Sequence, residues 1–210
     1  EAAGTAYAIQ GIESELSITG NDITTFSNGP NLGIYVTSMA GENSVMLIEN
    51  NFINVTGLAD SGDPWALVSG IEIQNGDSKI YNNTIYTYNV ADDYDEDDFL
   101  SGVSYLQWMY GGRTFDIQDN TIYTEGKYAI NLLDASNSII TGNTLYAHDL
   151  TGSDAVFIKS GSNNVIEDNG PKELTNIVTK DNFYDYFDDS GNLLDTITFD
   201  ELIFQGEFSN

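Results

Sequence analysis

The sequence predicts an all-β protein: a parallel β-helix of about six coils, followed by a C-terminal segment of different character. Three observations carry that expectation. A short text, Ile-x-[Gly/Asn/Asp]-Asn-x-[Ile/Leu], recurs along the chain. Short apolar runs alternate with polar residues at period two, and no stretch holds a helical apolar stripe for three turns. Self-similarity at intervals of a few tens of residues means stacked units, none of which buries its own apolar face alone.

The copies begin at Ile18, Ile48, Ile80, Ile117, Ile140 and, in a degraded form, Ile166. Their shared residues are Asn21, Asn51, Asn83, Asn120, Asn143 and Asn169, at intervals of 30, 32, 37, 23 and 26. Ahead of each corner the same order returns. Ala8-Ile9 precedes Leu16-Ser17-Ile18, Gly33-Ile34-Tyr35-Val36 precedes Met46-Leu47-Ile48, and Gly70-Ile71-Glu72-Ile73 precedes Lys79-Ile80. Gly102-Val103, Ala129-Ile130 and Ala155-Val156 open the later units, so each begins with a small residue and a branched apolar one. From that small residue to the corner Asn the count is 13 or 14 in units one, three, five and six, and 18 in units two and four. The repeated geometry is therefore three short strands with a tight turn between the second and third, and extra residues are pushed into corners. Such a unit cannot close its own sheet, whereas parallel stacking sets every apolar residue on its counterpart. At roughly 4.8 Å per layer, six coils make a rod on the order of 29 Å long.

The corner Asn suits this arrangement. It tolerates left-handed backbone angles, and its amide both donates to and accepts from the same amide one coil away. The six Asn are expected to be scaffold, not chemistry.

Composition bounds the rest. With 210 residues, 40% hydrophobic and 12% aromatic, the chain has enough apolar material for one main domain. No apolar run approaches the length of a membrane span, and Glu1-Ala2-Ala3-Gly4 has no signal-peptide character, so the chain reads as part of a longer polypeptide. Without Cys there are no disulfide staples and no thiolate chemistry. Six Lys+Arg against 33 Asp+Glu give a formal net charge of -27, which repels phosphate backbones and anionic lipid. Nucleic-acid partners are thus disfavoured, and the acidity reads first as solubility.

The stacked text, with connecting phrases such as Ser162-Asn163-Asn164-Val165-Ile166-Glu167-Asp168-Asn169, resembles the right-handed parallel β-helix repeats of large surface proteins. It looks most like the adhesin-like proteins of methanogenic archaea, over residues 6 to 169. The tail, from Asn182-Phe183-Tyr184-Asp185-Tyr186-Phe187 to Glu201-Leu202-Ile203-Phe204, looks like the junction that in that family joins one β-helix to the next module. The resemblance implies an extracellular, cell-surface location and further modules of the same polypeptide. Lyases, hydrolases and epimerases use the same fold, so the repeat speaks to fold more than to function.

Two parts are expected: a β-helix over 1-171 and a cap or junction over 172-210. In the tail, Thr179 or Asp181 is placed to cap a short helix carrying Phe183, Tyr184 and Phe187, with Gly191 as its stop and strand text from Thr196 onward. An open solenoid end exposes unpaired strand edges, so this segment is expected to cover the last coil.

Candidate sites lie in the inserts. Two follow the third strand of units two and three, Thr56 to Ser69 with Trp65 and Tyr88 to Ser101 with Tyr94, and should lie side by side. Two occupy another corner in units two and four, Thr37 to Ser44 and Leu106 to Arg113 with Trp108 and Tyr110. Trp65, Tyr88, Tyr94, Trp108 and Tyr110, with Arg113 beside them, suit a platform for sugar rings or peptide, or else they seal the loops against the coils. Asp93, Asp95 and Asp97 have the alternate spacing of a calcium loop, but Asp98 stands where an EF-hand needs Gly and Ser104 where it needs Glu; the other reading is a solvated loop tip. No other cofactor is indicated. The sequons Asn54-Val55-Thr56 and Asn82-Asn83-Thr84 suit glycosylation in an extracellular protein, or arise by chance in Asn/Thr-rich text.

The expected function is a non-enzymatic cell-surface module that presents loops to a glycan or protein ligand. A passive stalk spacing other modules is the first alternative. A polysaccharide lyase or hydrolase is the second; it would need Arg113, the only Arg, against converging carboxylates.

Overall fold

The computed structural model describes residues 5–12, 15–37, 45–59, 67–90, 99–105, 113–148 and 150–170, with 183–187 and 193–198 described as strands only. Coil one holds β1 (Ala6–Ile12), β2 (Ser17–Thr19) and β3 (Asp22–Phe26); coil two holds β4 (Asn31–Thr37), β5 (Val45–Glu49) and β6 (Phe52–Gly57). Coil three holds β7 (Val68–Ile73), β8 (Asp77–Tyr81) and β9 (Thr84–Asn89); coil four holds β10 (Leu100–Tyr105), β11 (Phe115–Gln118) and β12 (Thr121–Thr124). Coil five holds β13 (Ile130–Asp134), β14 (Ile139–Thr141) and β15 (Thr144–Tyr146); coil six holds β16 (Val156–Ser160) and β17 (Val165–Glu167).

Every third strand pairs in parallel. The first sheet runs β1-β4-β7-β10-β13-β16, the second β2-β5-β8-β11-β14-β17, and the third β3-β6-β9-β12-β15. This is a parallel β-helix, as the repeats predict. Register sets like on like: Ile18, Ile48, Ile80, Ile117, Ile140 and Ile166 form one column. Ile23, Ile53, Ile85, Ile122 and Leu145 form another. Ile9, Ile34, Ile71, Val103, Ile130 and Val156 supply a column from the first sheet. These columns meet in one core, where β-branched side chains lie on a pleated surface that suits their stiffness.

Between the second and third sheets, the left-handed residue is not the repeated Asn but the one before it. Gly20, Asn50, Asn82, Asp119, Gly142 and Asp168 have φ of 69, 57, 53, 56, 69 and 55°. That corrects the expectation placed on the Asn itself, and it explains why the preceding position is held by Gly, Asn or Asp, the residues that tolerate this region best. The Asn that follows is free to form the ladder. Its Nδ2 donates to the Oδ1 of the next rung at 2.9, 2.9, 3.0, 2.9 and 2.8 Å from Asn21 through to Asn169. Each receiving Oδ1 also accepts the preceding rung's backbone N–H, as in Asn51 to Asn83 at 3.0 Å. From Asn51 onward, Nδ2 also reaches back to an Ile carbonyl of the previous coil, so the buried amides are satisfied on both sides.

A second, shorter ladder holds the corner between the first and second sheets. Ser138 Oγ accepts from the Phe115 N–H at 2.9 Å, and Asn164 Oδ1 accepts from the Ser138 N–H at 3.0 Å. Its positive-φ residues are Gly76, Asn137, Gly161 and Asn163. The parallel phrases Ser136-Asn137-Ser138 and Ser162-Asn163-Asn164 are its trace in the sequence.

Two further expectations change. The third strands run longer than the sequence suggests, to Gly57 and Asn89, so Thr56 and Tyr88 are strand residues, while Ser69 and Ser101 already lie within the first strands of the next coils. Period two continues through Thr87, an inward polar residue whose hydroxyl bonds Thr124 at 2.7 Å, and polar identity hid it. In the tail, the expected helix is absent: β18 (Phe183–Phe187) pairs antiparallel with β19 (Leu193–Thr198). Phe-Tyr-Asp-Tyr-Phe is strand text, and one aromatic i, i+4 pair over five residues cannot outweigh the cost of nucleating a helix.

Candidate functional site

The first sheet is creased. A Cβ on Gly33 would stand 2.7 Å from the Gly70 carbonyl oxygen and 2.8 Å from Ile53 Cγ2; one on Gly70 would stand 2.7 Å from the Gly102 oxygen and collide with Ile85 Cγ2. Gly102 faces Ile122 in the same way. In coils two to four only glycine lets the sheet press this closely onto the third sheet; the other units open on Ala.

On the outer surface, side chains from the two sides of this row meet across it. Ser69 lies on one side of the crease and Glu72 and Ser104 on the other, in register with each other. The Ser69 and Ser104 hydroxyls nevertheless meet across it at 2.8 Å. The same offset, a residue before the crease meeting one beyond it in the next coil, recurs along the rod. Tyr7 meets Tyr35 with ring centroids 5.2 Å apart, and Tyr128 stacks on Phe157 at 4.8 Å and 18°. The crease therefore has an aromatic pair at each end and a polar centre. Tyr35 donates to Gln74 Oε1 at 2.6 Å, and burial together with Tyr7 raises its pKa.

The centre is closed to solvent and the ends are not. Ser69, Glu72, Ser101 and Ser104 are buried although they face outward, whereas Tyr7 is 42% exposed and Tyr35, Tyr128 and Phe157 are half-buried. Ser104 hydrogen-bonds to Glu72 Oε2, and Ser69 Oγ donates to the Ile71 carbonyl at 2.9 Å. Asn131, next in the row, has a buried Oδ1 with no hydrogen-bond partner.

Both long borders of this sheet carry the inserts. On the side of the second sheet they run from Thr37 to Val45 and from Tyr105 to Arg113; on the side of the third sheet, from Ala59 to Leu67 and from Val90 to Phe99. Gly57 pairs with Asn89 and Val68 with Leu100, so the second pair of inserts leaves and rejoins on neighbouring strands. The predicted adjacency holds at these anchors.

Of the predicted binding residues, Trp65, Tyr94, Trp108 and Tyr110 lie outside the described residues, as do Asp93, Asp95 and Asp97. Tyr88 is a correction. It is buried on the outer face of the third sheet with Tyr86 and Tyr146, against Tyr123, and burial raises its pKa first of all. It packs over the coils and is no open platform. Arg113 sits at the border of the creased sheet, bonding Asn75 Oδ1 at 2.5 Å through Nη2 and meeting the Tyr105 phenol, while its Nε is buried without a partner. Burial pushes Tyr105 up to about 12, with Arg113 pulling the other way. Asp116 accepts from Tyr81 and Gln118 along the second sheet, away from Arg113's partners. Among the described residues no three acidic or His side chains gather as a metal site, and no helix is long and apolar enough to cross a membrane.

Sequence reasoning missed the crease itself. Its signal was present as Ser69-Gly70-Ile71-Glu72 and Ser101-Gly102-Val103-Ser104, in which a small residue is flanked by outward polar ones. No family model matches the chain, and neither a curated protein nor a solved structure matches it.

Proposed function

We propose that the protein is a non-enzymatic binding module of a cell-surface protein, and that its ligand, a glycan, sits on the open aromatic ends of the crease of the first sheet. One observation carries the reading: the inserts leave both borders of the sheet whose outer face has an aromatic pair at each end of the crease. Loops set on a rigid scaffold are where binding concentrates, and aromatic faces beside polar groups suit sugar rings. The third sheet also bears aromatics, but inserts border it on one side only and Tyr86, Tyr88 and Tyr146 are buried there. Arg113 engages an amide and a phenol, which favours binding over a lyase or hydrolase.

A glycan array probed with the wild type and with Tyr128→Ala and Tyr7→Ala tests this, with and without calcium. Binding that weakens about tenfold when a crease aromatic is removed supports the reading, since such contacts carry on the order of 1 kcal/mol beyond area. No binding under either condition favours a passive stalk, and binding indifferent to these substitutions moves the site off the crease. Loss of binding only when calcium is removed points to the acidic insert around Asp93, Asp95 and Asp97.

A further inference from the structure

We propose that Asn82 is an attachment site for an N-linked glycan and that Asn54, which carries the other sequon, is not. The two match the same three-residue pattern, Asn82-Asn83-Thr84 and Asn54-Val55-Thr56, and the fold treats them oppositely. Asn82 is the left-handed residue of its corner, with φ of 53°, and it is exposed. Its backbone N–H is held by the Gln118 carbonyl at 3.2 Å, while its side chain makes no hydrogen bond among the described residues. The positions above and below in the same column, Asn50 and Asp119, are exposed too. A sugar on the Asn82 Nδ2 therefore projects into solvent and leaves the Asn83 rung, one residue on, in place.

Asn54 lies mid-strand in the third sheet, paired with Thr24 on one side and Tyr86 on the other. Its Oδ1 is buried without a hydrogen-bond partner, and Tyr86 beside it is 5% exposed. Asn54 is half-buried, against the exposed Asn82, and a glycan on it would crowd the Tyr86 ring and the aromatic layer of the third sheet, so modification there opposes folding. The chemistry asks for a lipid-linked oligosaccharide donor and its transferase. Asn82 Nδ2 attacks the anomeric carbon, the bond to the lipid pyrophosphate breaks, the amide loses one proton to a base, and the lipid pyrophosphate leaves.

The inference is independent of the binding reading. It is tested by expressing the chain behind a secretion signal in a cell with an oligosaccharyltransferase, then mapping occupancy by mass spectrometry in the secreted folded fraction and in the retained fraction. The expected result is one glycan on the secreted protein, at Asn82, abolished by Asn82→Gln and by Thr84→Ala and unchanged by Asn54→Gln. Occupied Asn54 should appear only in the retained fraction. Secreted folded protein bearing a glycan on Asn54, or with Asn82 empty in the wild type, overturns the proposal.

Discussion

Replacing Asn83 by Ala removes four hydrogen bonds from the middle of the ladder. Asn83 Nδ2 donates to Asn120 Oδ1 at 3.0 Å and to the Ile48 carbonyl at 2.9 Å; its Oδ1 accepts from Asn51 N at 3.0 Å and Asn51 Nδ2 at 2.9 Å. Some partners keep a second bond. Asn51 Nδ2 still reaches the Ile18 carbonyl, and Asn120 Oδ1 still accepts the backbone N–H of residue 83. The buried Asn51 N–H loses its acceptor and the Ile48 carbonyl loses a donor. With each unsatisfied buried group costing roughly 1–3 kcal/mol, the expected loss is about 3–5 kcal/mol, a fall in Tm on the order of 10 °C for a chain of this size. Asn21, the first rung, donates only to Asn51 Oδ1 and to the exposed Thr19 carbonyl, so Asn21→Ala should cost about 1 kcal/mol or less. Asn83→Asp keeps the shape but turns a second oxygen toward two acceptors, and should be at least as damaging as Ala. Urea unfolding followed by circular dichroism measures all three. The ladder argument collapses if Asn83→Ala and Asn21→Ala come out equal, or if Asn83→Asp is the mildest.

The remaining predictions concern the crease and the phenols. Gly70→Ala should destabilise by about 1–3 kcal/mol through overpacking, and Ile85→Ala should rescue it in part, giving a coupling energy in a double-mutant cycle that independent sites would lack. At Glu72, the three contacts from Glu72 to Ser104, Ser104 to Ser69 and Ser69 to the Ile71 carbonyl need three protons, and two hydroxyls supply only two. A neutral side chain that donates completes the set, so Glu72→Gln should keep stability near wild type while Glu72→Ala lowers it; the opposite order in thermal melts refutes the count. Burial first of all raises the pKa of Tyr35, Tyr81, Tyr88, Tyr105 and Tyr146, so the folded state holds protons that the unfolded chain releases near pH 10. Protons bound in excess by the folded state make stability fall as pH rises, from about 10 through the Tyr105 value of about 12. The share of phenolate absorbance that belongs to these five of the 13 tyrosines should rise only together with unfolding in an alkaline titration, and the full absorbance change appearing with the fold intact would contradict it.

The scaffold was legible because stacking demands that equivalent positions hold equivalent residues. Ile48 sits on Ile80 and Asn51 on Asn83, so one text repeats wherever one job repeats. What failed to show has physical causes too. Asn83 and Asn82 are adjacent and chemically identical, yet one is a buried rung and the other an exposed left-handed corner; composition cannot separate them. Tyr88 reads as loop in the sequence because the inward residues beside it, Thr87 on its own strand and Thr124 on the next, are polar and pair with each other. The tail misled in the other direction, since Phe183 and Phe187 have helical spacing within text whose residue types favour strand. The crease was partly visible, as small residues opening each unit. That Gly33, Gly70 and Gly102 have no room for a Cβ depends on how closely the third sheet lies behind them, which is a tertiary fact.

This division shows where the molecule can change without losing its shape. The Ile columns and the Asn rungs are tied from coil to coil, and a substitution in either disturbs the neighbour above and the neighbour below. The two positions flanking the crease are under a looser rule: the residue before the small one in a coil meets the residue two after the small one in the next coil. Tyr7 with Tyr35, Ser69 with Ser104, and Tyr128 with Phe157 fill the same place with different chemistry, over a row of small residues that is Gly in coils two to four and Ala elsewhere. The outer character of the crease is thus specified pair by pair, separately from the core, so aromatic and polar pairs share one rod.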